Sequence, residues 1–131
     1  MILLREATLA DRVLVMAWRS NPLVYQGFYQ QKEPLKWEEH KNWWDSRNQD
    51  WREFIIVLVE DTEMREVGVV TIGQLDHFSP ELGYFIGEVS LWGKGIGKQA
   101  VALGLDWLKK QGKEYCHTTI KDDNERSIRL I

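Results

Sequence analysis

The chain has 131 residues, a formal net charge of −3, and 44% hydrophobic against 28% charged residues. That is enough for one globular domain with one core, and a chain of this size needs no disulfide staple. The mild acidity gives no electrostatic case for nucleic acid as partner. No apolar run approaches the roughly 20 residues of a membrane helix, and the N-terminus becomes charged too soon for a signal peptide. The single cysteine, Cys116, has no partner within the chain, which points to a reducing, cytoplasmic setting.

Residues 2–5 predict a short first strand. Thr8 predicts an N-cap, and Leu9, Val13, Met16 and Ala17 keep helical spacing as far as Arg19, where Asn21-Pro22 stops the helix. Residues 23–34 carry Tyr25, Phe28 and Tyr29 among glutamines and predict a loop or a broken helix, whose aromatics serve packing or substrate contact. Residues 35–47 predict a second helix with Trp37, His40 and Trp44 on one face. His40 is there either a pH-active ligand or a packed core residue. Of the chain's seven tryptophans, Trp37, Trp43 and Trp44 crowd this one stretch.

Residues 53–60 and 67–75 predict two strands of a hairpin across a polar turn at 61–66, with Gly68 and Gly73 marking a bulge or a close backbone approach. Residues 81–87 predict the third strand of this antiparallel meander. Next comes Trp92-Gly93-Lys94-Gly95-Ile96-Gly97-Lys98, three glycines and two lysines where a strand hands over to a helix at residues 98–110. Glycine permits a tight turn with N–H groups facing inward, and the first N–H groups of a helix lack intrahelical partners and favour an anion. The segment predicts a diphosphate cradle rather than a plain connector. Val101, Leu105 and Leu108 form one stripe with Ala100, Gly104 and Trp107 beside it, a broad apolar face for the sheet, and Gly112 closes the helix. Residues 115–120 predict a strand parallel to the one before the loop, by a right-handed crossover. Asp122-Asp123-Asn124 then predict the cap of a last helix starting near Glu125.

This order of elements resembles that of the GNAT acyltransferases. Their diphosphate loop follows the pattern Gln/Arg-x-x-Gly-x-Gly/Ala, which residues 92–97 match except at Trp92. The run Glu81-Leu82-Gly83-Tyr84-Phe85-Ile86-Gly87 is similar to the fourth strand of the ribosomal-protein alanine acetyltransferase branch. Trp18-Arg19-Ser20-Asn21-Pro22, with Glu39-His40 downstream, is similar to amino-sugar acetyltransferases of the nucleotide-sugar branch. The Walker spacing fails at Gln99, and the Rossmann spacing fails because the glycines stand at 93, 95 and 97.

The resemblance implies an α/β (α+β) acyl-CoA N-acyltransferase fold, with a mixed, mostly antiparallel sheet flanked by helices. It implies one domain over residues 1–131, expected to be C-terminally incomplete because the family's last two strands would follow Ile131. It implies acetyl-CoA as co-substrate and no metal. Backbone amides of Gly93, Lys94, Gly95, Ile96, Gly97 and Lys98 would hold the pyrophosphate. Val89, Ser90 and Leu91 would pair with the pantetheine arm as an added strand. Asn124 would bond the arm, or cap the last helix and leave that contact to Ser127. An amine acceptor is mostly protonated at neutral pH and needs a base: Glu81 first, Glu88 second, His40 third. Cys116 is either an acyl-enzyme nucleophile or inert packing. The family's thiolate-protonating tyrosine belongs to the last strands, so no general acid is assigned. Arg19, Tyr25 and His40 would shape the acceptor side. The expected acceptor is a small-molecule amine, an amino sugar in particular, or a protein N-terminus, with no nucleic acid and no membrane, and a homodimer is left open. The alternative is a non-catalytic acyl-CoA-binding module.

Overall fold

The computed structural model describes residues 1–26, 31–45, 50–120 and 124–130. Among these residues six strands form one sheet in sequence order: β1 (Ile2–Glu6), β2 (Arg52–Glu60), β3 (Glu63–Gly73), β4 (Glu81–Ile86), β5 (Tyr115–Ile120) and β6 (Asn124–Arg129). Neighbours pair antiparallel except β4 and β5, which are parallel. The helices are α1 (Arg12–Arg19), α2 (Pro22–Tyr25), α3 (Trp37–Asp45) and α4 (Ile96–Lys110), with 3₁₀ turns at Leu9–Asp11 and Val89–Leu91.

Both faces of the sheet are covered, and alternation along the strands sorts the side chains. Phe54, Ile56, Val70, Ile72, Leu82 and Ile86 face α4 and pack with its Ile96, Ala100 and Leu108. Ile55, Val57 and Val69 face the other way, onto Val15 and Trp18 of α1. Pro22 starts α2 with Asn21 as cap, whose side chain accepts from Leu23 N–H.

The meander differs from expectation in its turn. Glu63 pairs directly with Glu60, so only Asp61-Thr62 turns, and Glu63 to Glu66 belong to β3. Asp61 takes a positive φ of 51°, which a tight hairpin turn requires. The predicted bulge is present: Ile56 pairs with Gly68 and Val57 with Glu66, leaving Val67 as the extra residue. Gly68 is needed beside it because a Cβ there would run into the Phe85 carbonyl. Helix α4 starts two residues earlier than expected, and it ends in a Schellman motif. There Gly112 sits at φ 85°, Lys113 N–H reaches Leu108 O at 3.1 Å, and Gly112 N–H reaches Lys109 O at 3.0 Å.

The largest correction lies at the end of the chain. Asn124 and Ser127 were expected at the start of a helix, and they lie instead in β6, opposite Ile120 and His117 of β5. Ile128 and Leu130, two residues apart, pack against the α4-side core. That is the period of a strand. The Asp122-Asp123 cap lies outside the described residues, as do Phe28, Tyr29 and residues 46–47 of the second predicted helix.

Arg5 ties β1 to the turn before α1. Its guanidinium meets Asp11 in a two-pronged pair, Nη1 to Oδ2 and Nη2 to Oδ1, each 2.9 Å. Asp11 Oδ2 also accepts Thr8 N–H at 2.8 Å, the carboxylate half of a capping box. The Arg5 hydrogen bonds hold the Asp11 carboxyl at about 2, against the desolvation that opposes them. The pair's stabilisation is therefore full above pH ~4 and is lost as pH falls through about 2. Asp11→Asn is expected to cost about 2 kcal/mol at pH 7, a Tm drop of roughly 5–10 °C, and to match wild type below pH 2. Thermal melts across that pH range check it.

Candidate active site

Strand β4 stops at the bulge. The Val67 carbonyl accepts from Gly87 N–H at 2.8 Å and Glu88 N–H at 3.2 Å, so the chain leaves the ladder there. Trp18 of α1 lies directly over Gly87, where a Cβ would enter its indole ring, and meets Phe85 edge-on with centroids 6.4 Å apart. Val89, Ser90 and Leu91 then form a 3₁₀ turn rather than the expected extended segment: Leu91 N–H bonds Glu88 O at 3.0 Å and Trp92 N–H bonds Val89 O at 3.1 Å. The turn swings Leu91 into the core, which an extended strand would not do. Trp92 is half exposed, and its indole N–H donates to the Ile86 carbonyl at 2.9 Å, clipping the loop to the end of β4.

Gly93 and Gly95 follow at φ 80° and 79°, a region closed to most side chains. No described atom lies within 4 Å of a Cβ at either position, so the loop opens onto free space. Gly95 caps α4, and the first intrahelical bond runs from Gln99 N–H to Gly95 O. The N–H groups of Ile96, Gly97 and Lys98 thus have no helical partner. Lys94 and Lys98 are exposed beside them. Tyr84, on the α4 face of β4, leans against Gly97, where a Cβ would strike its ring.

Beside the loop, β4 and β5 separate. Among the described residues one register pair joins them, Glu81 with His117, supported by His117 N–H to Pro80 O at 2.9 Å. From 82 to 86 β4 has no register partner on β5. Glu81, Gly83 and Phe85 share the face toward α1. Gly83 is exposed, and again no described atom lies within 4 Å of a Cβ there. Glu81 Oε2 stands 3.7 Å from His117 Nε2, and His117 Nδ1 stands 3.3 Å from the Ser79 hydroxyl.

The other sequence candidates have different surroundings. Glu88 is held by two partners: Oε1 accepts the Trp18 indole N–H at 3.3 Å, and Oε2 faces Arg65 Nη2 at 3.5 Å. It is a strut between α1, β3 and the loop. His40 is fully buried among Trp37, Trp43 and Trp44, with Nε2–H donating to Arg12 O at 2.8 Å and Nδ1 accepting from Arg19 Nη1 at 3.4 Å. The packing alternative is the one adopted. Arg19 reaches it with the guanidinium 4.2 Å over the Trp43 ring, so Arg19 and His40 come together while Tyr25 stands apart in α2, half-buried. Cys116 is buried in the α4-side core, and burial pushes its thiol pKa up, away from the thiolate a nucleophile needs.

Ser79, Gly83, Tyr84 and His117 were not singled out from sequence. The signal for His117 was present in the parallel β4–β5 reading and the alternation around Cys116, but pairing it with Glu81 needs the register, which neither strand encodes alone.

A family profile described as "Acetyltransferase (GNAT) domain" matches residues 1–131. An uncharacterized protein of Methanocaldococcus jannaschii is 52% identical over 132 residues, covering 99% of this chain and 27% of that protein. The chain thus spans about a quarter of that relative's length. A solved domain from Methanocaldococcus jannaschii DSM 2661 superposes with TM-score 0.89 at 50% identity, covering 95% of this chain and 80% of that one. A spermidine N-acetyltransferase from Vibrio cholerae, solved with CoA and spermine, superposes with TM-score 0.75 over 91% of this chain and 70% of that one, and at 18% identity shares the fold. A putative phosphinothricin N-acetyltransferase does the same at TM-score 0.72 and 18% identity, over 92% of this chain and 73% of that one.

The His40 tether has a pH signature. Burial pushes its imidazole pKa down, reinforced by the charges of Arg19 and Arg12, so the folded protein keeps it neutral. Stability from this site is present above the ordinary histidine value of about 6.5 and is lost as pH falls below it, by at most about 1.4 kcal/mol per pH unit. Urea denaturation between pH 7.5 and 5 is expected to show this slope in wild type and a flatter one in His40→Gln.

Proposed function

The chain belongs to the GNAT acetyltransferase family, and from that premise we propose that it moves an acetyl group from acetyl-CoA to a primary amine by direct attack. The observation that carries the reading is the gap between β4 and β5, which begins at the Glu81–His117 pair and runs toward the open glycine loop. The loop fits a diphosphate: two positive-φ glycines with clear space above them, three first-turn N–H groups and two exposed lysines. The β4 edge from 82 to 86 offers backbone groups to the pantetheine arm. Acetyl-CoA, when bound, supplies the activated thioester carbonyl.

This chain's residues do the rest. The amine approaches over the bare backbone of Gly83, and Glu81, on the same face, removes its proton. Phe85 and Trp18 wall off the loop side of that approach. With Arg19 stacked on Trp43 on the α1–α3 side, the reading favours a polar amine, an amino sugar and in particular a nucleotide-linked one; a protein N-terminus is the second class.

Calorimetry with CoA and a thiol-release assay over a panel of amino sugars, polyamines and peptides test this. Binding without turnover on any amine favours a CoA-binding module, and absence of binding overturns both. Asp tolerates positive φ better than most residues, so Gly95→Asp is expected to lower CoA affinity more than tenfold while shifting Tm by only a few degrees. Gly83→Val, which fills the space beside Glu81, is expected to leave CoA affinity within twofold and to lower kcat/KM for the amine at least tenfold.

A further inference from the structure

We propose that Ser79, His117 and Glu81 form a proton relay at the closed end of the β4–β5 gap, with His117 the positioning residue that receives the acceptor's proton from Glu81. The inference rests on the acetyl-transfer reading above. Three observations carry it. The pair Glu81–His117 is where β4 and β5 meet, so both side chains are fixed by one backbone register. His117 presents Nε2 to Glu81 Oε2 at 3.7 Å and Nδ1 to the Ser79 hydroxyl at 3.3 Å. Exposure also rises along the line: Ser79 is 6% exposed, the His117 side chain 14% and that of Glu81 32%. The chain of groups thus opens to solvent at Glu81.

The Ser79 segment is itself held. Its N–H donates to His77 Nδ1 at 3.2 Å, and the next carbonyl, Pro80, takes the His117 N–H. A serine hydroxyl both donates and accepts, so it can serve Nδ1 whether the ring is neutral or charged. The 3.7 Å separation from Glu81 is a resting distance of the kind that tightens when substrate fills a site. Among the described residues, the charged and titratable groups on this side of His117 are Glu81 from β4, His77 from the preceding turn, and Lys113, which donates to the His77 carbonyl at 3.3 Å; β6 brings Ser127 in register.

The proton count is simple. An N–H bond of the acceptor ammonium breaks and an O–H bond forms on Glu81. That O–H breaks as an N–H forms at His117 Nε2, while Nδ1–H donates to Ser79 Oγ. Glu81 is again a carboxylate, now beside an imidazolium, and the amine keeps its electron pair for attack. The proton later leaves His117 for solvent. The resting ring must therefore carry its proton on Nδ1, the opposite tautomer to His40.

Nitrogen-15 spectra of the ring in the CoA-free protein, together with kcat–pH profiles and CoA affinity, test this in wild type, Ser79→Ala, His117→Gln and Glu81→Gln. The Nδ1–H form is expected in wild type, with its resonances shifting toward Nε2–H in Ser79→Ala. His117→Gln is expected to lower kcat roughly ten- to a hundredfold and to move the acidic limb of the profile, with CoA affinity within twofold. Glu81→Gln is expected to lower kcat further. A His117→Gln enzyme with wild-type kcat and profile, or a His117 ring held as Nε2–H and indifferent to Ser79→Ala, overturns the relay while acetyl transfer stands. Failure of wild type to bind CoA overturns the acetyl-transfer reading and the relay with it.

Discussion

As the extra residue of the β3 bulge, Val67 turns its carbonyl to the N–H groups of Gly87 and Glu88. A buried carbonyl without partners costs about 1–3 kcal/mol, so these two donors are as much a requirement of the bulge as a property of the loop. The consequence is that β4 ends at Ile86 and the chain turns out of the sheet at a fixed point. Trp18 then covers Gly87, Glu88 braces Trp18 and Arg65, and Trp92 returns its indole N–H to Ile86 O. Each contact holds a residue next to the glycine loop, and none uses the loop's own amides. The loop can therefore be rigid at its root and open at its tip.

The two faces of β4 divide the work. Leu82, Tyr84 and Ile86 face α4, where Leu82 packs against Gly104 and Tyr84 against Gly97. That face fixes how the first turn of α4 sits relative to the sheet, and so where its amides point. Glu81, Gly83 and Phe85 face α1, and among them lies the uncovered backbone of Gly83. On the proposed reading, one strand would thus set the diphosphate end through its even positions and the acceptor end through its odd ones. A one-residue slip in register would exchange the two sets and lose both.

Much of this was legible in the chain. The meander, the broad apolar face of α4, the bulge at Gly68 and the Gly112 stop follow from local chemistry, although the fully buried line of α4 is Ile96, Ala100, Gly104 and Leu108, with Val101 and Leu105 at its flank. The glycine loop was legible for the same reason. Val89 to Leu91 misled because apolar residues after a strand look like its continuation, whereas the pull on Leu91 comes from the core. Asn124 and Ser127 misled because Asp-Asp-Asn serves a helix cap and a tight turn alike, and the polar run Asn124–Arg129 shows little strand alternation of its own although it pairs back on the adjacent β5. His40 stayed undecided because only three-dimensional packing shows both ring nitrogens used. The cluster of Ser79, Glu81 and His117 was invisible because a parallel pair separated by a helix leaves its register unwritten in either strand.

The same helix-linked, parallel register leaves an opening in the sheet. Helix α4 has 15 residues, about 22 Å of rise, and carries the chain from the C-terminal end of β4 back to the start of β5. Zipping β4 and β5 along their whole length would satisfy every backbone group and leave no opening. Among the described residues the one register pair is Glu81–His117, and beyond it the edge of β4 runs on for about 17 Å, residues 82–86, beside the gap. Such an edge invites a strand to pair with it. An extended ligand arm with amides at strand-like spacing meets that demand, and the loop at one end and the Glu81–His117 pair at the other limit how far it can slide. On the acetyl-transfer proposal, that edge would act as a ruler that brings the far end of a diphosphate-anchored arm to the Glu81 carboxylate.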